Sequence, residues 1–286
     1  MPIPLAQALA ETFTGWIDTL PEAWRPLAEG IDLDGSSVEP ELRFDPWVPI
    51  FPPLQGRVGV LGAPRRAETF RAFSDLSPQD VRAVIVGQDP YPDVAKATGL
   101  SFEQGNIKSW VEDARLVSKS LRRIVQAAAA LEGDDGDRYI GSRGWGHVLA
   151  DIASGELSAR TPTEFFDDTR EQGVLWLNTT LSISLFRGEG AYDHQQGHRA
   201  FWEPFVSHVL DYLAARSEPV VFVLWGGWAK DLRSGLEQAA EAAGTLGSLG
   251  FAESYHPATP RFLRPNPLQL VDDGLDRLGE EPVDWL

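Results

Sequence analysis

Four short apolar runs of the chain each end in residues that can contact a ligand. The first run is followed by Asp89, a carboxylate on a proline-rich turn, and the second ends at Asn178. The third leads into Gly226 and Gly227, where bare backbone at the start of a helix offers N–H groups to an anion. The fourth ends beside His256. A plain turn, close packing at the glycines and a structural histidine are the alternative interpretations.

The elements that position these residues follow from the spacing of apolar side chains. Continuous apolar runs bounded by turn residues are typical of buried parallel strands. The four runs are Val84–Val86, Val174–Leu177, Val220–Leu224 and Phe251–Tyr255. Amphipathic stretches predict helices at Arg115–Leu131, Ala200–Ala215, Ala229–Ala243 and Pro267–Leu278, with a first helix near Leu5–Ile17.

This alternation predicts an α/β fold with a central four-stranded, mainly parallel sheet flanked by helices on both faces. Ligands of such sheets bind beyond the carboxyl ends of the strands. The four run ends are therefore expected at one site.

The composition excludes several classes of protein. The chain has 286 residues, of which 43% are hydrophobic, so it has material for a sizeable core and is not wholly disordered. It has no cysteine and five histidines, which excludes disulfides, thiolate metal sites and cysteine nucleophiles and argues against a zinc enzyme. The net charge of −17 argues against a protein that merely coats nucleic acid.

Positive charge is nevertheless concentrated in two segments that contain no acid. They are residues 114–131, with Arg115, Lys119, Arg122 and Arg123, and residues 255–271, with Arg261 and Arg264. We predict a phosphate-binding surface there, with an affinity that weakens steeply with salt. The alternative is that Arg122 and Arg123 solvate a helix face.

Taken together, the segments that follow the apolar runs resemble the family-1 uracil-DNA glycosylases. GQDPY at residues 87–91 is similar to that family's water-activating motif, and GLSF at 99–102 to its base-stacking segment. GVLWLNTTLSI at 173–183 resembles its second strand, VVFVLWGGWAK at 220–230 its phosphate-contacting loop, and His256-Pro257 the start of its minor-groove loop. Five motifs stand in order at matching separations, from about residue 63 to the C-terminus.

The resemblance implies hydrolysis of the N-glycosidic bond of deoxyuridine in DNA, which releases uracil and leaves an abasic site, without a cofactor or a metal. Asp89 would position or activate water and stabilise the cationic sugar. His256, held neutral, would donate a hydrogen bond to uracil O2. Asn178 would pair with the O4/N3 edge of uracil, which cytosine does not match.

The remaining roles concern the pocket wall and the DNA. Phe102 would stack on the flipped base, Tyr91 would exclude the thymine methyl, and Gln88 would line the pocket. The residues expected to contact DNA are Lys119, Ser120, Gly226, Gly227, Pro257, Arg261 and Phe262. The partner would be uracil-containing DNA, with single strands favoured because extrusion costs least where pairing is weak.

Four positions depart from the family's pattern. Pro92 stands where the motif ends in His, and Ser118-Lys119-Ser120 stands in place of a Pro-Pro-Ser clamp on the DNA backbone. Gly227 replaces a Ser. In the minor-groove loop Pro260 takes the position of a wedging Leu, with Arg261, Phe262 or Leu263 as substitutes.

These departures leave other functions open. One alternative is a glycosylase of the same fold for another modified pyrimidine, against which Tyr91 argues. A second is a uracil-DNA binding protein with slowed chemistry. An unrelated α/β hydrolase with Asp89 as nucleophile lacks a second catalytic element.

We divide the chain into an N-terminal extension packing on the core, residues 1–62, and a glycosylase-like catalytic domain, residues 63–286. Within it, residues 132–160 carry six acids against three bases and are interpreted as an acidic surface insert, with a functional lid as the alternative. The chain begins without a signal peptide and has no apolar run that could span a bilayer, so we expect a soluble, cytoplasmic monomer.

Overall fold

The computed structural model describes residues 1–57, 59–133, 135–184 and 191–286. Eight strands lie in these ranges. They are β1 (Ile3–Pro4), β2 (Arg43–Phe44), β3 (Ile50–Phe51), β4 (Ala83–Gly87), β5 (Val174–Asn178), β6 (Ile183–Ser184), β7 (Val220–Trp225) and β8 (Leu249–Ser254). The pairs β1–β2 and β3–β6 are short antiparallel ladders, whereas the other four strands form one sheet.

The central sheet has the order β5-β4-β7-β8, and all its strands are parallel. Every residue of β4, β5 and β7 is buried, which is why these strands are continuous apolar runs rather than alternating ones. The registers pair Gly87 with Asn178 and Trp225 with Ser254, so the strands end at a common edge. The predicted α/β fold and its four strands are confirmed.

Ten α-helices lie in the part of the chain that the structure describes. They are α1 (Leu5–Thr12), α2 (Trp16–Thr19), α3 (Lys119–Glu132), α4 (Asp137–Ile140), α5 (Gly144–Ser154), α6 (Pro162–Glu171), α7 (Ala191–Ala215), α8 (Gly227–Lys230), α9 (Arg233–Ala243) and α10 (Pro267–Arg277). None of them is long and apolar enough to cross a membrane.

The helix predicted at Ala200–Ala215 begins earlier, at Ala191, and three other helices differ from their predicted bounds for local reasons. The first is split because Gly15 adopts a left-handed conformation, with φ of 72°. Helix α3 begins four residues late because the Ser118 side chain accepts a hydrogen bond from Leu121 N and caps the helix there. The helix predicted at Ala229–Ala243 is two helices, α8 and α9.

The N-terminal segment contributes to the main hydrophobic core. Phe13 and Trp16 are buried against Trp202 and Phe205 of α7, with ring centres 4.7 Å apart for Phe13 and Trp202 and 4.9 Å for Trp16 and Phe205. Burying each such side chain stabilises the fold by about 1.5–3 kcal/mol. The boundary at residue 62 stays a prediction.

Residues 132–160, of which Asp134 lies outside the described residues, form α4 and α5 and pack against α3. Tyr139 is buried and donates a hydrogen bond of 2.7 Å to Asp151, which is itself 3% exposed. Tyr139 O also accepts from Gln126 of α3 at 2.6 Å. Tyr139, Val148 and Leu157 belong to the main hydrophobic core, so this segment packs onto the rest of the protein beneath its acidic surface.

Candidate active site

Residues from all four strand ends line one pocket at the carboxyl edge of the sheet. Its volume is about 330 Å³, and its walls include Asp89, Phe102, Asn178, Gly227 and His256. These residues are far apart in sequence, and the parallel registers bring them together. Gln88, Tyr91, Ser120 and Gly226 also line this pocket.

Asn178 faces the pocket because residue 87 has no side chain. A Cβ at Gly87 would lie 2.4 Å from Oδ1 of Asn178 and 2.6 Å from Cβ of Ser101, which no real side chain allows. Asn178 is 2% exposed, and no hydrogen bond joins its side chain to another described residue. Its amide is thus free to offer one donor and one acceptor to a ligand.

Phe102 is held in a strained backbone conformation beside Asn178's strand. Its φ is 63°, a left-handed value that a phenylalanine rarely adopts. The ring centre lies 5.6 Å from that of Trp225 and 6.4 Å from that of His256. Such strain persists where the surrounding structure imposes it and is common at binding sites.

Tyr91 is fixed by its hydroxyl group. The hydroxyl lies 2.9 Å from the Ser118 hydroxyl and donates to the Phe102 carbonyl oxygen at 3.3 Å. Burial raises the pKa of Tyr91, so it stays neutral. The ring therefore forms a rigid wall of the pocket.

Asp89 is the carboxylate of the pocket, and its environment disfavours charge. Its Oδ1 atom is buried without a hydrogen-bond partner among the described residues. Burial raises the pKa of Asp89 above its ordinary value, whereas the Thr180 hydroxyl and the Arg199 guanidinium act to lower it. A partly desolvated carboxylate with an open acceptor is suited to hold water or face a cation.

The imidazole of His256 is held as a neutral hydrogen-bond donor. Its Nδ1 accepts from Ala258 N at 3.1 Å, which leaves the proton on Nε2. Burial lowers the pKa of His256. Gly226 packs so closely that a Cβ there would lie 3.0 Å from His256 Cβ.

The residues predicted to contact DNA divide into two groups. Lys119, Gly227 and Arg261 are exposed beside the pocket. Pro257 and Phe262, in contrast, are buried, and their DNA contacts stay predictions. Phe262 packs edge-on against Trp225 with ring centres 4.9 Å apart, because the loop turns its apolar residues toward the core.

The proposed wedge substitutes are affected in the same way. Leu263 is 4% exposed, whereas Pro260 and Arg261 remain on the surface. The Arg261 guanidinium lies 5.8 Å from the ring centre of Tyr255, which is 50% exposed. An exposed aromatic–cation pair therefore stands beside His256.

Sequence reasoning missed Thr180 and Arg199. Thr180 follows Asn178 by two residues, and this alternation along the strand direction was the signal that could have identified it. Arg199 lies on α7 and has no sequence signal, because only the fold brings it near Asp89. Its guanidinium lies over the Trp228 ring, 4.9 Å from the ring centre.

A second cleft, of about 400 Å³, lies on the other side of the Phe102 segment and shares no lining residue with the pocket. Arg66, Arg71 and Arg170 line it, and all three pair with Asp167. Arg71 also pairs with Glu103. Arg65, Glu68 and Asp75 also line the cleft, so its positive charge is balanced by carboxylates of the protein itself, and the smaller pocket is the better candidate site. No cluster of metal-ligating side chains occurs among the described residues.

Similar proteins were found by sequence and by structure. Uracil-DNA glycosylase 1 of Streptomyces coelicolor is 31% identical over 84% of this chain and 93% of its own length. The uracil-DNA glycosylase of Mycolicibacterium vanbaalenii is 30% identical over 91% of this chain and 97% of its own. No protein-family model matches the chain.

Among solved structures, the wild-type UNG of Nitratifractor salsuginis superposes with a TM-score of 0.60 at 21% identity, covering 94% of this chain and 96% of that one. A mimivirus UNG variant in complex with UGI superposes with a TM-score of 0.59 at 18% identity, covering 99% and 94%. These two likenesses concern the fold.

Proposed function

The chain belongs to the uracil-DNA glycosylase family, and from this premise we propose that its pocket hydrolyses the N-glycosidic bond of deoxyuridine in DNA. The C1′–N1 bond breaks, water oxygen bonds to C1′, and uracil leaves as an anion that takes up a proton. The observation that carries the proposal is the single pocket that holds Asp89, Asn178 and His256 together.

Asp89 and His256 divide the charge that develops during bond cleavage. The sugar becomes cationic, and the Asp89 carboxylate stabilises it and accepts a proton from the attacking water. Uracil becomes anionic, and the Nε2–H of His256 donates a hydrogen bond to its O2 atom. The neutral state of His256 follows from the hydrogen bond at Nδ1 and from its partial burial.

Asn178, Tyr91 and Phe102 select the base. The open amide of Asn178 pairs with the O4/N3 edge of uracil, Phe102 stacks on its ring, and Tyr91 occupies the space that a 5-methyl group would need. Because the Tyr91 hydroxyl is bonded at two places, the ring does not yield to a larger pyrimidine. This argues against the alternative of another modified pyrimidine.

DNA binding is proposed to use a small positive surface beside the pocket. Lys119 and Arg261 are exposed there, and Arg123 is tied to the His256 loop by a hydrogen bond to Pro257 O at 2.9 Å. With few cationic contacts on an acidic protein, affinity falls with salt, and single strands are preferred because extrusion is then least costly. A cytoplasmic location and a monomeric state stay predictions.

The test is uracil release from a single-stranded oligonucleotide containing one deoxyuridine, with thymine and cytosine oligonucleotides as controls, at low and high salt. Release from the uracil oligonucleotide alone is expected, with Asp89→Asn as the matched inactive variant. Base-dependent binding without release would support the binding-protein alternative. Neither binding nor release by folded protein would overturn the proposed function.

A further inference from the structure

Several buried polar atoms around Asp89 lack hydrogen-bond partners within the described part of the chain. They are Oδ1 of Asp89, Oγ1 of Thr180, and Nε and Nη2 of Arg199. Thr180 is 1% exposed. Buried polar groups are paired in nearly all native structures, so these orphaned atoms indicate an absent ligand or water.

The strand register places Thr180 opposite Asp89. Gly87 pairs with Asn178 at the end of β4 and β5, and the backbone continues this pairing because Thr180 N donates to Gln88 O at 3.0 Å. Asp89 and Thr180 each lie two residues beyond this register pair, in the adjacent segments that follow β4 and β5. The Thr180 hydroxyl acts on the Asp89 carboxylate and lowers its pKa.

Arg199, on α7, lines a neighbouring cleft with Asp193 and Glu203, and it contacts the pocket of Asp89 through Trp228, which lines that pocket. Its Nη1 donates to Gln196 at 3.2 Å, and its planar face lies on Trp228, so the guanidinium is oriented by other residues rather than by Asp89. Its positive charge acts on Asp89 through space. The remaining titratable groups that face the pocket are Tyr91, from the turn of Asp89 itself, and His256, after β8.

We propose that Thr180 and Arg199 are positioning residues for Asp89: the Thr180 hydroxyl and Asp89 Oδ1 together hold the attacking water, and Arg199 supplies the positive charge that balances the carboxylate. This inference rests on the proposed function. It gives a role to the departure at residue 92, where Pro92 offers no side-chain donor beside the water. The Thr180 hydroxyl, in the segment that follows β5, supplies part of the hydrogen bonding to the water that a side chain at residue 92 would otherwise give.

The hydroxyl is suited to this role because it can accept from water while donating to a carboxylate. An aliphatic side chain of the same shape could do neither. Thr180→Val thus removes the hydroxyl with almost no change in volume, and Thr180→Ser keeps a hydroxyl at this position.

The first experiment measures single-turnover uracil release against pH for wild type, Thr180→Val and Thr180→Ser. Loss of the hydroxyl is expected to lower the rate by at least about tenfold and to move the rising limb of the profile to higher pH. Thr180→Ser is expected to retain most of the rate and the wild-type limb. Thr69→Val, at a buried threonine that donates to Pro52 O away from the pocket, is the control expected to leave the profile unchanged.

Arg199 is tested by Arg199→Met and Arg199→Lys in the same assay. The neutral variant is expected to move the limb to higher pH, and the lysine variant to stay close to wild type, because charge rather than shape is at issue. A drop in affinity for the oligonucleotide with an unmoved limb would instead assign Arg199 to phosphate binding and overturn its role toward Asp89.

A second readout does not depend on activity. The carboxyl carbon signal of Asp89, assigned by its absence in Asp89→Asn, is titrated by NMR in wild type, Thr180→Val and Arg199→Met. Each variant is expected to raise the pKa of Asp89 by about one unit. An unchanged pKa would overturn the inference even if uracil release is confirmed, whereas a raised pKa in a protein without uracil release would contradict only the proposed function.

Discussion

The pocket and the histidine network, defined as Ser182, Ser184, His194, His198 and Trp202, are both built from buried polar side chains. In the network each ring nitrogen of both histidines takes part in a hydrogen bond. The Ser182 hydroxyl lies 3.1 Å from His198 Nδ1, the Ser184 hydroxyl 3.0 Å from His198 Nε2, and Trp202 donates to Ser182 at 2.8 Å. His194 joins Ser184 to Arg43 O.

Around Asp89 the same kinds of atoms are left without partners. A satisfied network fixes one arrangement of the fold, while unsatisfied groups cost free energy until a ligand binds. The difference therefore separates a structural region from a functional one by hydrogen bonding rather than by residue type. The sequence contains five histidines, but it does not show which of them belong to the structural network and which to the pocket.

Asp89→Asn should give the largest effect and sharpen this comparison. We expect uracil release to fall by about 10²–10⁴-fold, because the charge that stabilises the sugar and receives the proton is lost. Since the native site disfavours an ionised Asp89, the free energy of unfolding at neutral pH should rise by about 1 kcal/mol. Single-turnover kinetics measure the rate of uracil release, and urea unfolding measures the stability. A rate equal to that of the wild type would show that Asp89 takes no part in the mechanism.

His198→Leu should lower the stability of the fold, in contrast to Asp89→Asn. It removes the hydrogen bonds of His198 to Ser182 and Ser184, which keep only Trp202 and His194 as partners, and we expect a loss of about 2–4 kcal/mol of unfolding free energy. His208→Leu, at an exposed position of the same helix, is the control and should change stability by less than about 0.5 kcal/mol. Comparable losses in both variants would show that the network is not structural.

The histidine network also predicts how stability depends on pH. Burial lowers the pKa of His198 to about 3, so the folded protein keeps it neutral while the unfolded chain protonates it below about pH 6.5. Between these values the unfolded state binds the extra proton, so stability falls as pH falls, by up to about 1.4 kcal/mol per pH unit from this residue. Urea unfolding between pH 7 and 4.5 measures the slope, which His198→Leu should reduce.

Asn178→Asp should give the smallest effect, on specificity. The variant offers only acceptors when ionised and can take up a proton to donate, so cytosine release should increase by about tenfold over wild type. Paired cytosine and uracil oligonucleotides measure the ratio. Cytosine release no higher than in wild type would argue that the open amide does not read the base.

The sequence was sufficient for the sheet and for the principal pocket residues. Strands β4, β5 and β7 are buried on both faces, so their composition alone marks them, and parallel pairing then brings the segments after them to one edge. Asp89, Asn178 and His256 were predicted to meet for this reason, and they line one pocket.

The apolar pattern of the sequence does not show which side chains of a loop face the core. Phe262 is as apolar as a DNA wedge must be, yet its ring is buried in the main core against Trp225. Arg199 lies more than a hundred residues from Asp89 in sequence, yet its charge acts to lower the pKa of Asp89. Residues 132–160 have a buried Tyr139–Asp151 pair within an acidic surface. Apolar periodicity is a local property that the sequence determines, whereas the partners of a polar atom depend on distant segments, and only the tertiary structure decides them.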